Sequence, residues 1–338
     1  MRNLKRALSL ALASVMLLGM MVVGTSASYT DVTSENNEEA IEVLQKVGIM
    51  TGDDKGNFNP DQKVTRNEMA VIMCNLLDYT VASYKGTSKF TDVPAWAEPY
   101  VAACYTNGII AGYSATTFGG NDSVTTGQAA LMLLKALGYF QYASDFGDDW
   151  LVATTSQGAK ASLFDDVDTG AREALTRNDV AQMVLNALKA DMVEYSGNGG
   201  TTVKGDGFEI TTGKATYDAR TSNSSKYNAI INEKAVVNPP AKYTIQLGED
   251  LYSGDLKMTE DIHDAYGRPA TRWEYKLDKI GDYTDEPLAV YTAKVSKGTL
   301  YSLLGKDRLD DINKGNNTLT IVNDGTSTVY TGATAANG

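Results

Sequence analysis

A turn-to-helix junction that occurs three times constrains this fold more than anything else in the chain. "VTRNEMAVIM" begins at Val64, "VTTGQAALMLL" at Val124 and "LTRNDVAQMVL" at Leu175, and each passes through Thr into an apolar helical run. The likeness extends over residues 29–77 and 90–137. "YTDV" at 29–32 answers "FTDV" at 90–93, "VGIMTG" at 47–52 answers "NGIIAG" at 107–112, and Phe58 answers Phe118. Gly52, Phe58 and Thr65 keep the same spacing as Gly112, Phe118 and Thr125, which sets a period of roughly 60 residues. A third copy at 146–188 keeps the last helix but lacks the Gly-Tyr turn, and its Thr176 follows Thr125 by 51 residues. Repeats this short cannot bury the apolar face of a helix alone, so they must stack on one another.

Each repeat reads as helix, turn, helix. The first helix is short and amphipathic, with Ala40, Ile41, Leu44 and Val47 in one copy and Tyr100, Val101, Cys104 and Tyr105 in the next. Gly48 and Gly108 are placed to end it. Asp53–Asn57 has turn composition and lacks the alternating ligands and terminal glutamate of a calcium loop, so no metal is expected there. Thr65 with Glu68, Thr125 with Gln128 and Thr176 with Asp179 are spaced as capping boxes, each worth about 1 kcal/mol to the helix it starts. Helices are therefore expected to begin near Thr65, Thr125 and Thr176. Capping does not explain Arg66 and Arg177, because a cation in the first turn opposes the helix dipole at a cost of a few tenths of a kcal/mol. Either these arginines meet an anion, or they are solvated and pair with Glu68 and Asp179.

At these residues the sequence resembles the S-layer homology family. That pattern runs from Phe-x-Asp-Val, through Trp-Ala and Gly-Ile-Ile-x-Gly-Tyr, to Thr-Arg-Ala-Glu. "FTDVPAWAEPYVAACYTNGIIAGYSATTFGG" follows it closely, and the first copy supplies "YTDV" and "VTRNE". The resemblance covers residues 29–190. It implies an all-α unit of three repeats in pseudo-threefold packing, which binds an anionic secondary cell wall polymer, often a pyruvylated glycan, in grooves between repeats. Carried over residue by residue, it places Arg66, Arg177, Thr65, Glu68, Asp31, Asp92 and Trp96 at the polymer. Thr126 and Gln128 stand where the family has Arg and Glu, so the first repeat is expected to contribute most. The three helix N-termini, at caps Thr65, Thr125 and Thr176, are expected to offer N–H groups to the polymer's carboxylates.

The remaining features bear on where such a chain acts. Arg2, Lys5 and Arg6 precede the apolar run "LSLALASVMLLGMMVV", and Thr25-Ser26-Ala27 follows it. That run is short for a membrane span and fits a signal peptide over 1–28, cleaved near Ala27, with no transmembrane segment left afterwards. Its removal takes the formal net charge from −12 to −15. Nucleic acid is a poor partner for so acidic a chain, since phosphate binding needs clustered Lys and Arg. The C-terminus "VYTGATAANG" shows no sorting signal, so attachment to a cell is expected to be non-covalent. Cys74 and Cys104 are either small buried side chains or a single disulfide. His263 is the single histidine and has no ligand spacing around it, so neither metal nor cofactor is expected.

A Gly-rich stretch, "EYSGNGGTT" at 194–202, is read as a linker over 193–200. Beyond it, alternating runs at 242–247, 289–295 and 317–332 point to strands, with Asp324-Gly325 as a hairpin turn and one helix near Thr299–Leu309. Trp273 and Tyr275 are either sheet core or a sugar-stacking platform. The fold class expected is α+β and multidomain: a signal peptide at 1–28, repeats at 29–89, 90–145 and a degenerate 146–192, the linker, and a mostly β surface domain over 201–338. The function expected is non-enzymatic, non-covalent anchoring of an exported protein to a bacterial cell wall or S-layer, with possible self-association in that layer. The alternative is a wall-anchored enzyme acting on polysaccharide, although no catalytic set stands out in 201–338.

Overall fold

In the computed structural model, all three junctions start helices. The structure describes residues 29–33, 35–198, 202–205, 208–211, 215–222, 235–236, 242–252, 254–263, 268–284, 289, 296–315, 318–323 and 326–331. The expected signal peptide and, apart from residue 289, the strand expected at 289–295 lie outside them. Three helix pairs follow one another: α1 (Glu38–Lys46) and α2 (Arg66–Leu76), α3 (Glu98–Thr106) and α4 (Thr126–Ala136), α5 (Trp150–Lys160) and α6 (Arg177–Lys189). The capping boxes form as the spacing requires. Thr65 Oγ1 accepts from Glu68 N at 3.2 Å, and Glu68 accepts from Thr65 N at 2.8 Å. Thr125 with Gln128, and Thr176 with Asp179, repeat both bonds.

The second helix of each pair packs on the first helix of the next: α2 on α3, α4 on α5, and α6 back on α1. The ring therefore closes, which is the pseudo-threefold arrangement that short repeats need in order to bury their apolar faces. At its centre the residues before the three caps form a cyclic triangle of backbone hydrogen bonds. Val64 N donates to Leu175 O (3.1 Å), Leu175 N to Val124 O (3.0 Å), and Val124 N to Val64 O (2.8 Å). Ile41, Leu44, Phe58, Met73, Phe118 and Leu134 are buried in the ring's helices and turns.

The stretch expected as a linker is a strand. After α6 the chain runs directly into β1 (Val193–Asn198), which pairs antiparallel with β4 (Ala215–Ala219). Val193 N donates to Leu137 O, Met192 N to Ile245 O and Leu247 N to Ala190 O, so these residues are tied to the helices. Gly138, at φ +105°, makes that approach possible, because a Cβ there would stand 2.2 Å from Val193 O. Between β1 and β4 lies the hairpin of β2 (Thr202–Gly205) and β3 (Phe208–Thr211). Beyond β4, β5 (Thr221–Ser222), β6 (Ala235–Val236) and β7 (Lys242–Thr244) form a small sheet in the order β5-β7-β6. Helix α7 (Leu247–Tyr252) then packs on α6. One compact unit thus comprises the chain through Lys257 together with Glu274–Ile280.

The second unit comprises Met258–Trp273 and Gly281–Gly338. Three strands, β8 (Leu256–His263), β9 (Pro269–Tyr275) and β10 (Asp278–Thr284), form a sheet in the order β10-β9-β8. In this unit Arg272 makes a bidentate pair with Asp282 at 2.7 and 2.9 Å. Trp273 is fully buried, so it is core rather than a sugar platform. The helix expected near Thr299–Leu309 is α8 (Lys297–Lys314), broken at Gly305. The expected hairpin is β11 (Thr318–Asn323) paired with β12 (Thr326–Thr331); its turn residues, Asp324 and Gly325, lie outside the described residues. Helices in the first half and small antiparallel sheets in the second make the fold α+β.

Candidate functional site: the grooves between helix pairs

Each helix N-terminus of the ring lies against the turn of the next lobe. In the first two positions of α2, Arg66 N donates to Asp122 O and Asn67 N to Gly120 O, both at 2.9 Å. In α4, Thr126 N donates to Glu173 O and Gly127 N to Ala171 O. In α6, Arg177 N donates to Gln62 O and Asn178 N to Pro60 O. The third N–H of each helix goes to its own capping threonine. The expectation that these N–H groups receive carboxylates is therefore corrected: the neighbouring lobe occupies them first. Gly120 is needed for this contact, since a Cβ there would stand 2.1 Å from Asn67 Oδ1.

The arginine side chains cross the same grooves. Arg66 Nε donates to Phe118 O (3.2 Å) and Nη2 to Ala111 O (2.9 Å). Arg177 repeats the pattern one lobe round, with Nε to Phe58 O (2.7 Å) and Nη2 to Thr51 O (2.8 Å). The Arg66 guanidinium lies 4.6 Å from the ring centres of both Tyr113 and Phe118, and that of Arg177 lies 4.5 Å from Phe58. Arg66 is only 4% exposed, so a solvated arginine is ruled out for it. In the third groove Thr126 Oγ1 reaches Thr169 O at 3.4 Å.

The aspartates of the two Asp-Val motifs grip the same turns from the other side. Asp92 accepts from Phe118 N and Gly119 N, each at 2.8 Å. Asp31 accepts from Phe58 N (2.7 Å) and Asn59 N (2.6 Å). The Phe118 peptide is thus held at its N–H by Asp92 and at its C=O by Arg66, and Phe58 is held likewise by Asp31 and Arg177. Burial opposes the charge on Asp92, but the two amides and nearby Arg66 outweigh it and leave its carboxyl below the usual range. In the adjoining turn Asp53 accepts from Lys55 N, Asn57 N and the side-chain amides of Asn57 and Asn59. The Asn57 amide chiefly holds that carboxyl well below its usual range.

Burial pulls both guanidinium groups below their ordinary pKa. Tyr113, Asp122 and Asp92 oppose this for Arg66, while Glu68, Tyr29, Asp31 and Asp53 oppose it for Arg177. None of these carboxylates is in ion-pair contact with either arginine among the described residues. Arg66 Nη1 makes no hydrogen bond to any of them, and the ring of Tyr113, 56% exposed, lies over the guanidinium carbon.

The structure thus brings Arg66 together with Asp92, and Arg177 with Asp31 and Glu68. Thr65 is the cap of α2, and Trp96 is half-buried in the turn before α3. Sequence reasoning missed Tyr113 and the carbonyls of Ala111, Phe118, Thr51 and Phe58. Their signal was present in the shared spacing of Gly52 and Phe58 with Gly112 and Phe118. Cys74 and Cys104 are buried free thiols, 3.4 Å apart, and each also donates to a backbone carbonyl.

A closed ring of helix pairs, clamped through its turns by arginine and aspartate, defines a three-lobed helical repeat unit. The S-layer homology domain model matches residues 28–70 and 89–130, so the first two lobes are S-layer homology domains; the third lobe is not matched. The chain is 27% identical over 256 residues to the surface-layer 125 kDa protein of Lysinibacillus sphaericus, covering 73% of this chain and 21% of that one. It is 26% identical over 254 residues to a cell surface protein of Thermoanaerobacter kivui, covering 72% of this chain and 32% of the relative. An endoglucanase of Bacillus sp. strain KSM-635 is 26% identical over 155 residues, covering 41% of this chain and 16% of the enzyme. The chain thus spans between a fifth and a third of the length of these two surface proteins.

Proposed function

We propose that this chain holds an exported protein non-covalently at the bacterial cell wall by binding an anionic secondary cell wall polymer in the grooves of its helical ring. In this reading it serves as a surface-layer or other cell-surface structural protein and associates with further copies in that layer. The observation that carries the reading is the pair of S-layer homology domains, whose Arg66 is a buried cation with no carboxylate in contact. A carboxylate of the polymer, for instance on a pyruvylated sugar, supplies the missing counter-charge at Nη1, in a charge-assisted bond stronger than a neutral one. Arg177 serves the same role in the groove between the third and first lobes, so 146–192 is read as a third, degenerate repeat. Thr65, Glu68, Asp31 and Asp92 support the site by fixing the groove walls, and Trp96 flanks it. A chain carrying −12, or −15 without residues 1–28, repels an anionic polymer on average, so the attraction has to be local.

The test is retention of the chain without residues 1–28 on purified walls, before and after extraction of the secondary polymer. Retention is expected to be lost with the polymer and restored on adding it back. Equal retention on extracted walls would refute the reading. A wall-held enzyme acting on polysaccharide is the second reading, with the endoglucanase relative in its favour. Release of reducing ends from wall glycan or cellulose would establish it.

A further inference from the structure

Away from the arginine grooves, an aromatic cleft opens within the first unit, between the 139–149 connection, α5 and β4. Its volume is about 670 Å³, within the roughly 300–1,000 Å³ of ordinary small-ligand sites. Four aromatic residues, Tyr139, Phe140, Phe146 and Tyr217, stand among its more numerous polar and aliphatic lining residues. Phe140 and Phe146 stack at 5.0 Å with an interplanar angle of 15°, and Tyr139 and Tyr217 stand 5.7 Å apart. The row continues outward, from Tyr217 to Tyr195 at 6.4 Å and on to Tyr142 at 5.0 Å, the last two exposed to solvent. Large apolar rings left at a surface mark a contact site more often than chance.

Hydrogen bonds to Asp145 tie part of the wall together. The Tyr217 hydroxyl donates to Asp145 at 2.5 Å, and Asp145 also accepts from Tyr142 N and Ala215 N. Phe140 keeps φ at +56°, a left-handed conformation that is costly for a bulky residue. Such strain persists where the surroundings fix it, and it clusters at ligand clamps. On the opposite wall α5 presents Ser156, Gln157 and Lys160, with Asp148 and Asp149 near its start.

We propose that this cleft binds an uncharged sugar unit of a glycan. The C–H faces of a pyranose are apolar and pack flat on aromatic rings, while its hydroxyls point outward to amide, hydroxyl and carboxylate partners. The cleft offers both kinds of surface. Three aspartates against one lysine disfavour an anionic sugar, which separates this site in place and in charge from the arginine grooves. It therefore stands or falls independently of the wall-anchoring reading.

The experiment titrates the chain lacking residues 1–28 calorimetrically with cellotetraose, chitotetraose and, as the anionic control, tetragalacturonate. Saturable binding of at least one neutral tetramer is expected. Tyr217→Ala is expected to weaken it about tenfold, the scale of one lost aromatic contact. Because that change also releases Asp145, Gln157→Ala on the helix wall is the second variant, expected to weaken binding about threefold at an unchanged melting temperature. Absence of binding by both neutral tetramers overturns the proposal. So does binding unaltered in both variants, or binding of tetragalacturonate alone.

Discussion

Arg66→Ala separates a structural arginine from a surface one. Were Arg66 solvated at the start of α2, its removal would relieve an unfavourable dipole interaction and raise stability by a few tenths of a kcal/mol. The structure requires the opposite sign. Two carbonyls lose their guanidinium donors, that of buried Phe118 and that of exposed Ala111, so one buried acceptor is left unpaired. A buried acceptor left unpaired costs about 1–3 kcal/mol, and the contact with two aromatic rings contributes about 0.5–2 kcal/mol more. Water entering the vacated space returns part of this, so the net loss expected is about 2–4 kcal/mol. Arg66→Lys keeps the charge, but one ammonium cannot reproduce the planar fork that meets both carbonyls, so a loss of about 1–2 kcal/mol is expected. Urea unfolding followed by far-UV circular dichroism reads the helical ring directly, with the slope compared to confirm that the same unit unfolds. A loss below about 0.5 kcal/mol for Arg66→Ala would refute the clamp. Wall binding by this variant has to be measured below its unfolding transition, since lost fold and lost polymer contact otherwise look alike.

Asp92 gives the ring an acid limb. Its folded pKa lies below the unfolded value of about 3.9, so its contribution is complete above that pH and is lost as pH falls through the depressed folded value. Stability against urea at pH 3 and pH 6 is expected to differ less in Asp92→Asn than in the parent; an unchanged difference would speak against this role. Leu247→Ala, outside the recognised repeats but buried in α7 against α6, is expected to cost the helical unit about 2–4 kcal/mol. Helix melting unmoved by that change would mean that the segment after α6 is not part of the ring's fold.

What was legible in the sequence was local chemistry and its period. The capping boxes at Thr65, Thr125 and Thr176 are three-residue patterns, and each starts its helix as written. The α8 helix and the β11–β12 hairpin were likewise visible from local signals. Misread features depended on distant partners. The glycines around Tyr195 read as a linker because strand β1 draws its partners from β4, Leu137 and Ile245. The solvated alternative for Arg66 stood open because its two carbonyl acceptors lie 45 and 52 residues away. The helix N-termini read as open because nothing local shows that the next lobe's carbonyls fill them.

The third groove shows why the repeat tolerates its own decay. In two grooves a phenylalanine turn is clamped at both ends of one residue, by an aspartate on its N–H and an arginine on its C=O. That clamp needs the long turn running from the glycine through phenylalanine to the capping threonine. Where Thr126 replaces the arginine, a short hydroxyl reaches Thr169 O in its place. The turn it faces has no phenylalanine to hold, and the third copy closes with a spacing of 51 residues instead of about 60. The contacts that do not depend on side-chain identity survive: Thr126 N and Gly127 N still reach Glu173 O and Ala171 O, and the central triangle still closes through Leu175. Backbone hydrogen bonds therefore carry the threefold geometry and the Asp–Phe–Arg clamps add to it. One lobe can lose its clamp and drift in sequence while the ring, and with it the two grooves that keep their arginines, remains assembled.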